Sequence, residues 1–290
     1  MKVTILGSGT SIGVPMPTCQ CEVCQSKDPR DNRLRCSALV ETDDQQKILV
    51  DCGPDFRLQA IRVGIRELDA LLLTHNHFDH CYGLDDLRPF AYFKPLATYA
   101  DQIMSDALMS RWDYIFVHKY PGVPKLELTT LHPSHGDSFK VGETEVTPIR
   151  CYHGKLPMLG YRIGPLAYIT DCTRIEERDL EKLKGITHLI IDALRWHEHP
   201  THYSVQQAME IVDMLQPKRT VFTHMSHEMG LHSLFKEHLM AELGDTYPKA
   251  LLDSVELAYD GMEIEITPNS SLNNDYHRWP YRLRQDPSGR

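Results

Sequence analysis

The sequence predicts an α/β fold in which short buried strands alternate with helices. The strand signal is a set of apolar or β-branched runs without polar alternation, which is typical of strands covered on both faces. An aspartate or a histidine directly follows each run, and the runs are residues 47–50, 70–74, 166–170, 189–191 and 220–223. Since α/β sheets place their functional groups at the carboxyl ends of strands, these five ends predict one shared site.

Helical segments lie between these runs. Residues 55–63 are expected to form a helix that Gly64 ends, and residues 176–184 are expected to form one that Gly185 ends. Both assignments follow from a glycine placed where the last helical turn needs a left-handed residue.

A third helix carries the strongest local signals. Ser204 and Gln207 form a capping-box pattern at its start. Apolar residues then recur at helical spacing as far as Leu215, and Pro217 ends the segment. We expect one apolar face along this helix.

The remaining segments define the expected domain organisation. Residues 141–149 and 255–266 are expected to form antiparallel strands, the second with an Asp-Gly hairpin turn. Residues 88–135 lack clear periodicity, and we interpret them as an insertion near the mouth of the site. The polar residues 267–290 are expected to form a tail outside the core, which leaves one domain over residues 1–266.

The composition limits the classes of partner. The 290 residues include 31 Lys+Arg and 40 Asp+Glu, so the net charge is −9 and no global basic field attracts nucleic-acid backbones. No apolar run is long enough for a transmembrane helix, and the first apolar run is too short for a signal peptide. We therefore expect a cytoplasmic protein with a small substrate and with neither a membrane nor a large nucleic acid as partner; a homodimer stays open.

One short string carries the strongest functional signal. His75, His77, Asp79 and His80 form an H-x-H-x-D-H pattern directly after a buried strand. If the backbone turns sharply there, two of these side chains can point to one side and two to the other. Imidazole and carboxylate ligands suit zinc, manganese or iron. The string therefore predicts two adjacent metal ions.

A second cluster consists of thiols. Cys19, Cys21 and Cys24 crowd together, whereas the other five of the eight cysteines are scattered and are expected to be small buried apolar residues. With reduced thiols, the cluster favours one tetrahedral structural zinc that needs a fourth ligand, for which His227 is the candidate. The glycines of residues 7–13 do not fit the G-x-G-x-x-G spacing, so a dinucleotide site is rejected.

The H-x-H-x-D-H string resembles the signature of the metallo-β-lactamase superfamily, and the resemblance covers the chain from Val3 to about Ile266. It implies a four-layer αβ/βα sandwich with the site on one edge. It also implies further ligands after later strands. The implied ligands form two sets that share Asp171 as a bridge: His75, His77 and His153 for one ion, and Asp79, His80 and His224 for the other. Asp51 and Asp192 are expected to orient ligands or loops instead of binding metal.

A narrower resemblance is to the PhnP-like cyclic phosphodiesterases of phosphonate breakdown. It rests on the N-terminal G-S-G-T-S string, the cysteine cluster, the T-H-x-S-H string and the closing Y-D-G-M-E-I string. In that group a histidine in the loop before a helix donates a proton to the leaving alcohol, and His202 matches that position. His197 and His199 are expected to be surface residues.

The resemblance implies hydrolysis of a small phosphodiester, expected to be cyclic, by a hydroxide that bridges the two metals. The hydroxide would attack phosphorus in line while His202 protonates the departing oxygen. The active-site ions would be zinc or manganese, with iron as a further candidate.

Other functions stay open on the same fold. A transfer-RNA 3′-processing nuclease of the tRNase Z type is weakened by the charge of −9 and by the lack of a visible basic arm. A protein similar to the pyrroloquinoline-quinone biosynthesis hydrolase shares the cysteine cluster. A lactonase or β-lactamase demands neither His202 nor the structural zinc, and a non-enzymatic scaffold would not need the intact ligand set.

Overall fold

The computed structural model describes residues 1–133 and 138–267. Within them the chain forms two mixed β-sheets. The first sheet contains seven strands in the order β15-β1-β2-β3-β4-β5-β6. Its strands are β1 Lys2–Gly7, β2 Ser37–Glu41, β3 Lys47–Val50, β4 Ala70–Leu72, β5 Leu96–Asp101, β6 Leu126–Leu131 and β15 Glu263–Glu265.

The second sheet contains eight strands in the order β11-β8-β9-β10-β12-β13-β14, with β7 paired to β8. These are β7 Phe139–Val141, β8 Thr144–His153, β9 Leu156–Ile163, β10 Leu166–Ile169, β11 Arg174–Ile175, β12 His188–Asp192, β13 Arg219–Thr223 and β14 Val255–Leu257. In each sheet four successive strands run parallel, β3 to β6 in the first and β10-β12-β13-β14 in the second. Two sets of carboxyl ends are thus available for a site.

Helices cover the outer faces of the sheets. They are α1 Phe56–Val63, α2 Phe78–Cys81, α3 Gln102–Arg111, α4 Asp113–Phe116, α5 Glu177–Lys182, α6 Val205–Leu215, α7 Phe235–Leu243 and α8 Lys249–Asp253. Along each strand of the first sheet, alternate side chains lie on opposite faces of the sheet. Leu49 and Leu71 pack with Phe56 of α1, whereas Ile48 and Leu72 join the core shared with the second sheet. Helix, sheet, sheet and helix make the four-layer αβ/βα sandwich of the metallo-β-lactamase fold.

The strand runs lack polar alternation because both faces of each sheet are covered. Ile48, Leu49 and Val50 of β3 are all fully buried, as are Ala70, Leu71 and Leu72 of β4. The helix after Ser204 is confirmed with both bonds of its capping box. Gln207 N–H donates to Ser204 Oγ at 3.3 Å, and Ser204 N–H donates to Gln207 Oε1 at 3.0 Å.

One expectation from the sequence, the hairpin, is wrong. Residues 255–266 do not form a hairpin, because β14 pairs in parallel with β13 while β15 pairs with β1 in the other sheet. The Asp260-Gly261 turn carries the chain between the sheets. Residues 88–135, interpreted as an insertion, supply β5, α3, α4 and β6, and the two strands extend the first sheet in parallel. Pairing with β4 gives these residues regular structure that their periodicity did not indicate.

Two further observations complete the fold. No helix among residues 1–133 and 138–267 is long and apolar enough to cross a membrane. The tail expected over residues 267–290 lies outside the described residues beyond position 267.

Candidate metal centre and active site

The ends of four parallel strands bring the predicted site residues together. Asp51 follows β3, Asp171 lies two residues after β10, Asp192 ends β12, and His224 follows β13. The loop after β4 supplies the H-x-H-x-D-H residues and continues into α2. The site therefore sits at one edge of the sandwich, where both sheets contribute.

Asp171 lies at the centre of this cluster. Its Oδ1 is 2.5 Å from His224 Nε2, and its Oδ2 is 3.3 Å from His75 Nε2 and 3.4 Å from His80 Nε2. Asp79 Oδ2 lies 3.0 Å from His80 Nε2. One carboxylate thus faces histidines that reach it from both sheets.

The donor atoms divide into two groups around that carboxylate. One potential ligand atom from each of Asp79, His80, Asp171 and His224 lies within 4.8 Å of the others, and the same holds for His75, His77 and Asp171. The ring of His153 lies 5.6 Å from that of His75 and 5.0 Å from that of His77. His153 has a potential ligand atom within 4.8 Å of those of Asp171 and His202, so Asp171 also links it to the two groups.

Three of the residues at the strand ends have a left-handed backbone. The φ angles are 61° at Asp51, 49° at Asp171 and 57° at His224. Residues with a Cβ seldom adopt this region, and such strain is typical of functional sites where surrounding structure holds it. Gly53 helps to bring the first of these turns against α2, because a Cβ there would lie 2.0 Å from the carbonyl oxygen of Asp79.

Hydrogen bonds orient the histidine rings. His80 Nδ1 is 2.7 Å from Asp51 Oδ2, and Asp51 also accepts from the amide and the hydroxyl of Thr74. His153 Nδ1 is 2.7 Å from the carbonyl oxygen of Thr201. When Nδ1 donates its proton in this way, Nε2 presents a lone pair towards the centre of the site.

The electrostatics of the cluster pair acids with histidines. Burial opposes ionisation of Asp79 and Asp171, but His80 and His224 more than offset it, so the pKa of each carboxyl lies well below its usual range. Burial also lowers the histidine values, yet the same carboxylates raise the pKa of His80 and of His224 well above the ordinary value. A cation at this place would face carboxylates that remain ionised.

The donor set fits divalent metal ions. Within the described residues His75 Nε2, His80 Nε2 and Asp171 Oδ1 are buried without a well-formed hydrogen bond. Buried polar atoms without partners are costly in a native protein. Imidazole and carboxylate donors converging on one point are the ligands that zinc, manganese and iron share.

The cysteine cluster lies next to this centre. His227 Nδ1 is 3.4 Å from Cys19 Sγ and 3.3 Å from Cys21 Sγ, and Cys24 completes a group of four donors within 4.8 Å of one another. Edges on the order of 3–4 Å are those of a tetrahedron with zinc–ligand bonds of about 2.0–2.3 Å. The donors therefore suit a tetrahedral zinc.

Two thiols of this cluster, Cys21 and Cys24, have pKa values that are shifted in opposite directions. Although burial opposes ionisation of Cys21, hydrogen bonds from the Cys24 amide and His227 lower its pKa to about 6. Burial raises the pKa of the Cys24 thiol to about 11. Cys21 therefore has the more readily ionised thiol of the two, and the thiolate is the form that binds metal.

Backbone pairing connects the thiol cluster to the metal centre. Met225, directly after His224, donates its N–H to Ser8 O at 3.0 Å and accepts from Thr10 N–H at 3.1 Å. The loop that carries Cys19 is thus paired with the segment that carries both His224 and His227.

His202 lies at the border of the centre with 8% of its surface exposed. Its Nδ1 is 3.2 Å from Asp192 Oδ2, which also accepts from the Cys172 and Tyr203 amides. Its ring stacks at 5.1 Å on that of His224 and lies 4.7 Å from that of His153. Asp192 thus orients this ring, as the sequence interpretation expected of it.

Comparisons with known proteins agree with this geometry. Residues 46–225 match the family model described as a beta-lactamase superfamily domain. A crystal structure of a new diphosphatase from the PhnP family is 35% identical, with a TM-score of 0.78 over 91% of this chain and 96% of that one. The chain belongs to the PhnP family of the β-lactamase superfamily.

Two curated relatives are also similar to this PhnP-family chain. An octanoyltransferase of Porphyromonas gingivalis is 43% identical over 95% of this chain but only 54% of that protein. A coenzyme PQQ synthesis protein B of Methylobacterium radiotolerans is 27% identical over 68% of this chain and 74% of that protein. The chain spans about half the length of the first relative. The name octanoyltransferase therefore describes a protein of which about half lies outside the match.

The structure of this PhnP-family chain brings the residues predicted for the two sites close to one another. Sequence reasoning missed two supporting residues. His199, expected at the surface, is half-buried, and its Nδ1 accepts from the Thr201 N–H at 3.3 Å, whereas His197 is exposed. Thr201 in turn accepts from His153. His199 lies only two residues before Thr201, but no motif in the sequence singled it out.

Proposed function

We propose that the protein hydrolyses small phosphodiesters at a dinuclear metal centre. The observation that carries the proposal is the pair of donor groups that share Asp171, with His202 beside both. Two cations and an adjacent proton donor are the parts that cleavage of a phosphorus–oxygen bond requires.

The proposed ligands form two sets, one for each metal ion. His75, His77 and His153 would hold one ion, Asp79, His80 and His224 the other, and Asp171 would contact both. Divalent cations bound there would neutralise phosphate oxygens and make water a competent nucleophile near neutral pH. Zinc, manganese and iron all suit these ligands. Asp51 keeps the His80 ring in the orientation that this arrangement needs.

His202 acts as the general acid. With Asp192 accepting at Nδ1, its other nitrogen, Nε2, is free to hold a proton for the departing alcohol oxygen. Because His202 is mostly buried, its proton is delivered within the site and not from bulk water.

Cys19, Cys21, Cys24 and His227 hold a structural zinc in this proposal. The zinc pins the N-terminal loop beside His224, since Met225 pairs with Ser8 and Thr10 of that loop. Zinc in such closed sites contributes to folding and does not take part in the reaction.

The substrate is small in this proposal. A net charge of −9 disfavours a polyanionic RNA, which distinguishes the proposal from a transfer-RNA nuclease. A diphosphate is a second candidate, because the 35% identical relative is named a diphosphatase and in-line attack on phosphorus serves both bonds. The match to the PQQ synthesis protein is more distant, at 27% identity.

A metal-resolved screen tests the proposal. The metal-free protein is loaded separately with manganese, zinc or iron and offered bis(p-nitrophenyl) phosphate, 2′,3′-cyclic nucleotides, alkyl diesters, diphosphates, a precursor transfer RNA, nitrocefin and lactones. We expect turnover of small diesters, lost in Asp171→Ala. Preference for the RNA or for a carbonyl substrate would overturn the assignment, and so would no turnover with any metal.

A further inference from the structure

Two aromatic side chains lie on the solvent side of the short helix α2. Phe78 is 51% exposed and Tyr82, four residues later, is 44% exposed. Their ring centroids are 4.8 Å apart. Asp79 and His80 are buried on the opposite side. The same turn of chain thus presents donors to the metal centre and an aromatic face to solvent.

Phe78 lies at the rim of the centre. It directly follows His77, an exposed residue whose ring is 4.5 Å from that of His75. The Arg35 guanidinium lies 5.9 Å from the Phe78 centroid, and Arg35 Nε donates to Ser11 O at 2.9 Å. Ser11 follows Thr10, which pairs with the residue after His224. Phe78 therefore stands in the chain between His77 and Asp79, one residue from each of the two proposed ligand sets.

Residues at the end of α3 hold the side chains of Phe78 and Tyr82 in place. Tyr82 packs edge-on against Trp112 with centroids 4.9 Å apart, and Trp112 is buried. Arg111 donates to the carbonyl oxygen of Asn76 at 2.6 Å, which ties the end of α3 to the metal-binding loop. A preordered aromatic surface loses little conformational freedom when a ligand stacks on it.

We propose that Phe78, supported by Tyr82, stacks against the planar base of a nucleotide-type phosphodiester and so determines substrate specificity. This inference rests on the proposed function and names its substrate class. A base linked through one sugar to a phosphate at the donor cluster would reach the neighbouring ring. Stacking uses the π-face that every nucleobase has, so the Phe78 ring accepts purines and pyrimidines alike.

The test compares substrates with and without a base. Phe78→Ala, Phe78→Tyr and wild type are assayed with 2′,3′-cyclic AMP and with glycerol 1,2-cyclic phosphate. In Phe78→Ala the ratio of kcat/KM for the nucleotide to that for the base-free diester should fall about 10-fold, mainly through KM. Phe78→Tyr should restore most of the ratio, because its ring also stacks.

Phe93→Ala is the matched control. Phe93 is 90% exposed and pairs with Tyr92 at 4.9 Å, but its neighbour Lys94 binds Asp69 at the start of β4, the edge opposite the metal centre. This variant should keep the wild-type ratio. Calorimetric titration with AMP and with ribose 5-phosphate gives a second readout that does not depend on turnover, and only AMP binding should weaken in Phe78→Ala.

The outcomes separate this inference from the proposed function. An unchanged ratio in Phe78→Ala, or equal losses on both substrates, overturns the stacking role and leaves phosphodiester hydrolysis standing. If wild type hydrolyses no diester but AMP binding still depends on Phe78, hydrolysis is wrong and stacking holds. AMP binding that is absent, or the same in wild type and Phe78→Ala, overturns stacking.

Discussion

At the scale of single residues, the site depends on side chains whose backbone is held in an unfavourable conformation. Asp171 has a φ of 49° and places its two oxygens towards histidines of both sheets. His224 has the same type of backbone and reaches Asp171 from the next strand but one. A substitution at either position removes a donor without relieving the packing that imposes the turn.

Asp171→Ala should reduce kcat by more than about 100-fold, since 10–100-fold is the usual cost of losing only an outer partner of a metal ligand. The physical reason is that one carboxylate serves both donor groups. Steady-state kinetics with metal analysis measures the effect. Asp51→Asn is the matched control, because Asp51 contacts His80 but not the shared position, and it should lose 10–100-fold. Near-normal kcat in fully loaded Asp171→Ala would exclude Asp171 from the site.

His202→Ala should discriminate between leaving groups. An alkoxide needs a proton to depart, so an alkyl or cyclic diester should lose about 10²–10⁴-fold in kcat. A p-nitrophenyl diester should lose far less, because its phenolate leaves unprotonated. Metal content should stay at the wild-type level. Asp192→Asn should show a weaker form of the same pattern, since it only orients the ring. Equal losses on both esters would contradict the general-acid role.

At the scale of secondary structure, helix α6 positions the loop that carries His202. The capping box at Ser204 begins the helix two residues later than the proposed acid. Buried Val205, Ala208 and Met209 then anchor the helix to the second sheet. The position of His202, the proposed general acid, thus depends on where α6 begins.

Ser204→Ala should destabilise the protein by about 1 kcal/mol, because the Gln207 amide loses its acceptor. For a chain of this size the melting temperature should fall by about 2–4 °C in thermal unfolding. Ser110→Ala, an exposed position within α3, is the control and should leave the melting temperature almost unchanged. Equal shifts in the two variants would show that the cap does not stabilise α6.

At the scale of the whole molecule, the two sheets meet through the N-terminal loop and the last strand. Asp260 accepts from the Ser8 and Leu34 amides, and Arg62 binds the same carboxylate at 2.9 Å. The thiol cluster lies in the same loop, close to the segment after β13. Zinc binding there would tie distant parts of the chain together.

Cys21→Ser should lose one equivalent of zinc and lower the melting temperature, since zinc binding is coupled to folding. Elemental analysis after mild EDTA treatment should find this zinc retained in wild type while activity is removed. Cys52→Ala, which deletes a buried thiol outside the cluster, should lower stability and keep the zinc. Retention of both zinc and melting temperature in Cys21→Ser would refute the structural site.

Sequence patterns were sufficient wherever the deciding contacts are local. The capping box at Ser204, the apolar run before His75 and the spacing of Cys19, Cys21 and Cys24 each depend on residues within one or two turns of chain. Hydrophobic periodicity and the spacing of metal ligands are both patterns among residues that lie close together in the sequence. The resemblance carried by the same motifs then added His153, Asp171 and His224.

Only the tertiary structure decided which distant segments pair. Residues 255–266 carry a hairpin signal, yet β14 gains a partner in β13 and β15 gains one in β1, and burial of Val255 and Ile264 in the shared core outweighs a local turn preference. Likewise β5 and β6 form because β4 offers a parallel edge. The position of Phe78 beside Arg35 depends on packing between segments that are distant in the sequence. By itself the sequence determined the fold class and predicted the donor residues. The H-x-H-x-D-H and cysteine donors followed from side-chain type and short spacing, whereas His153, Asp171 and His224 followed from the family resemblance. The sheet partners follow from contacts between residues far apart in the chain, which no local pattern encodes.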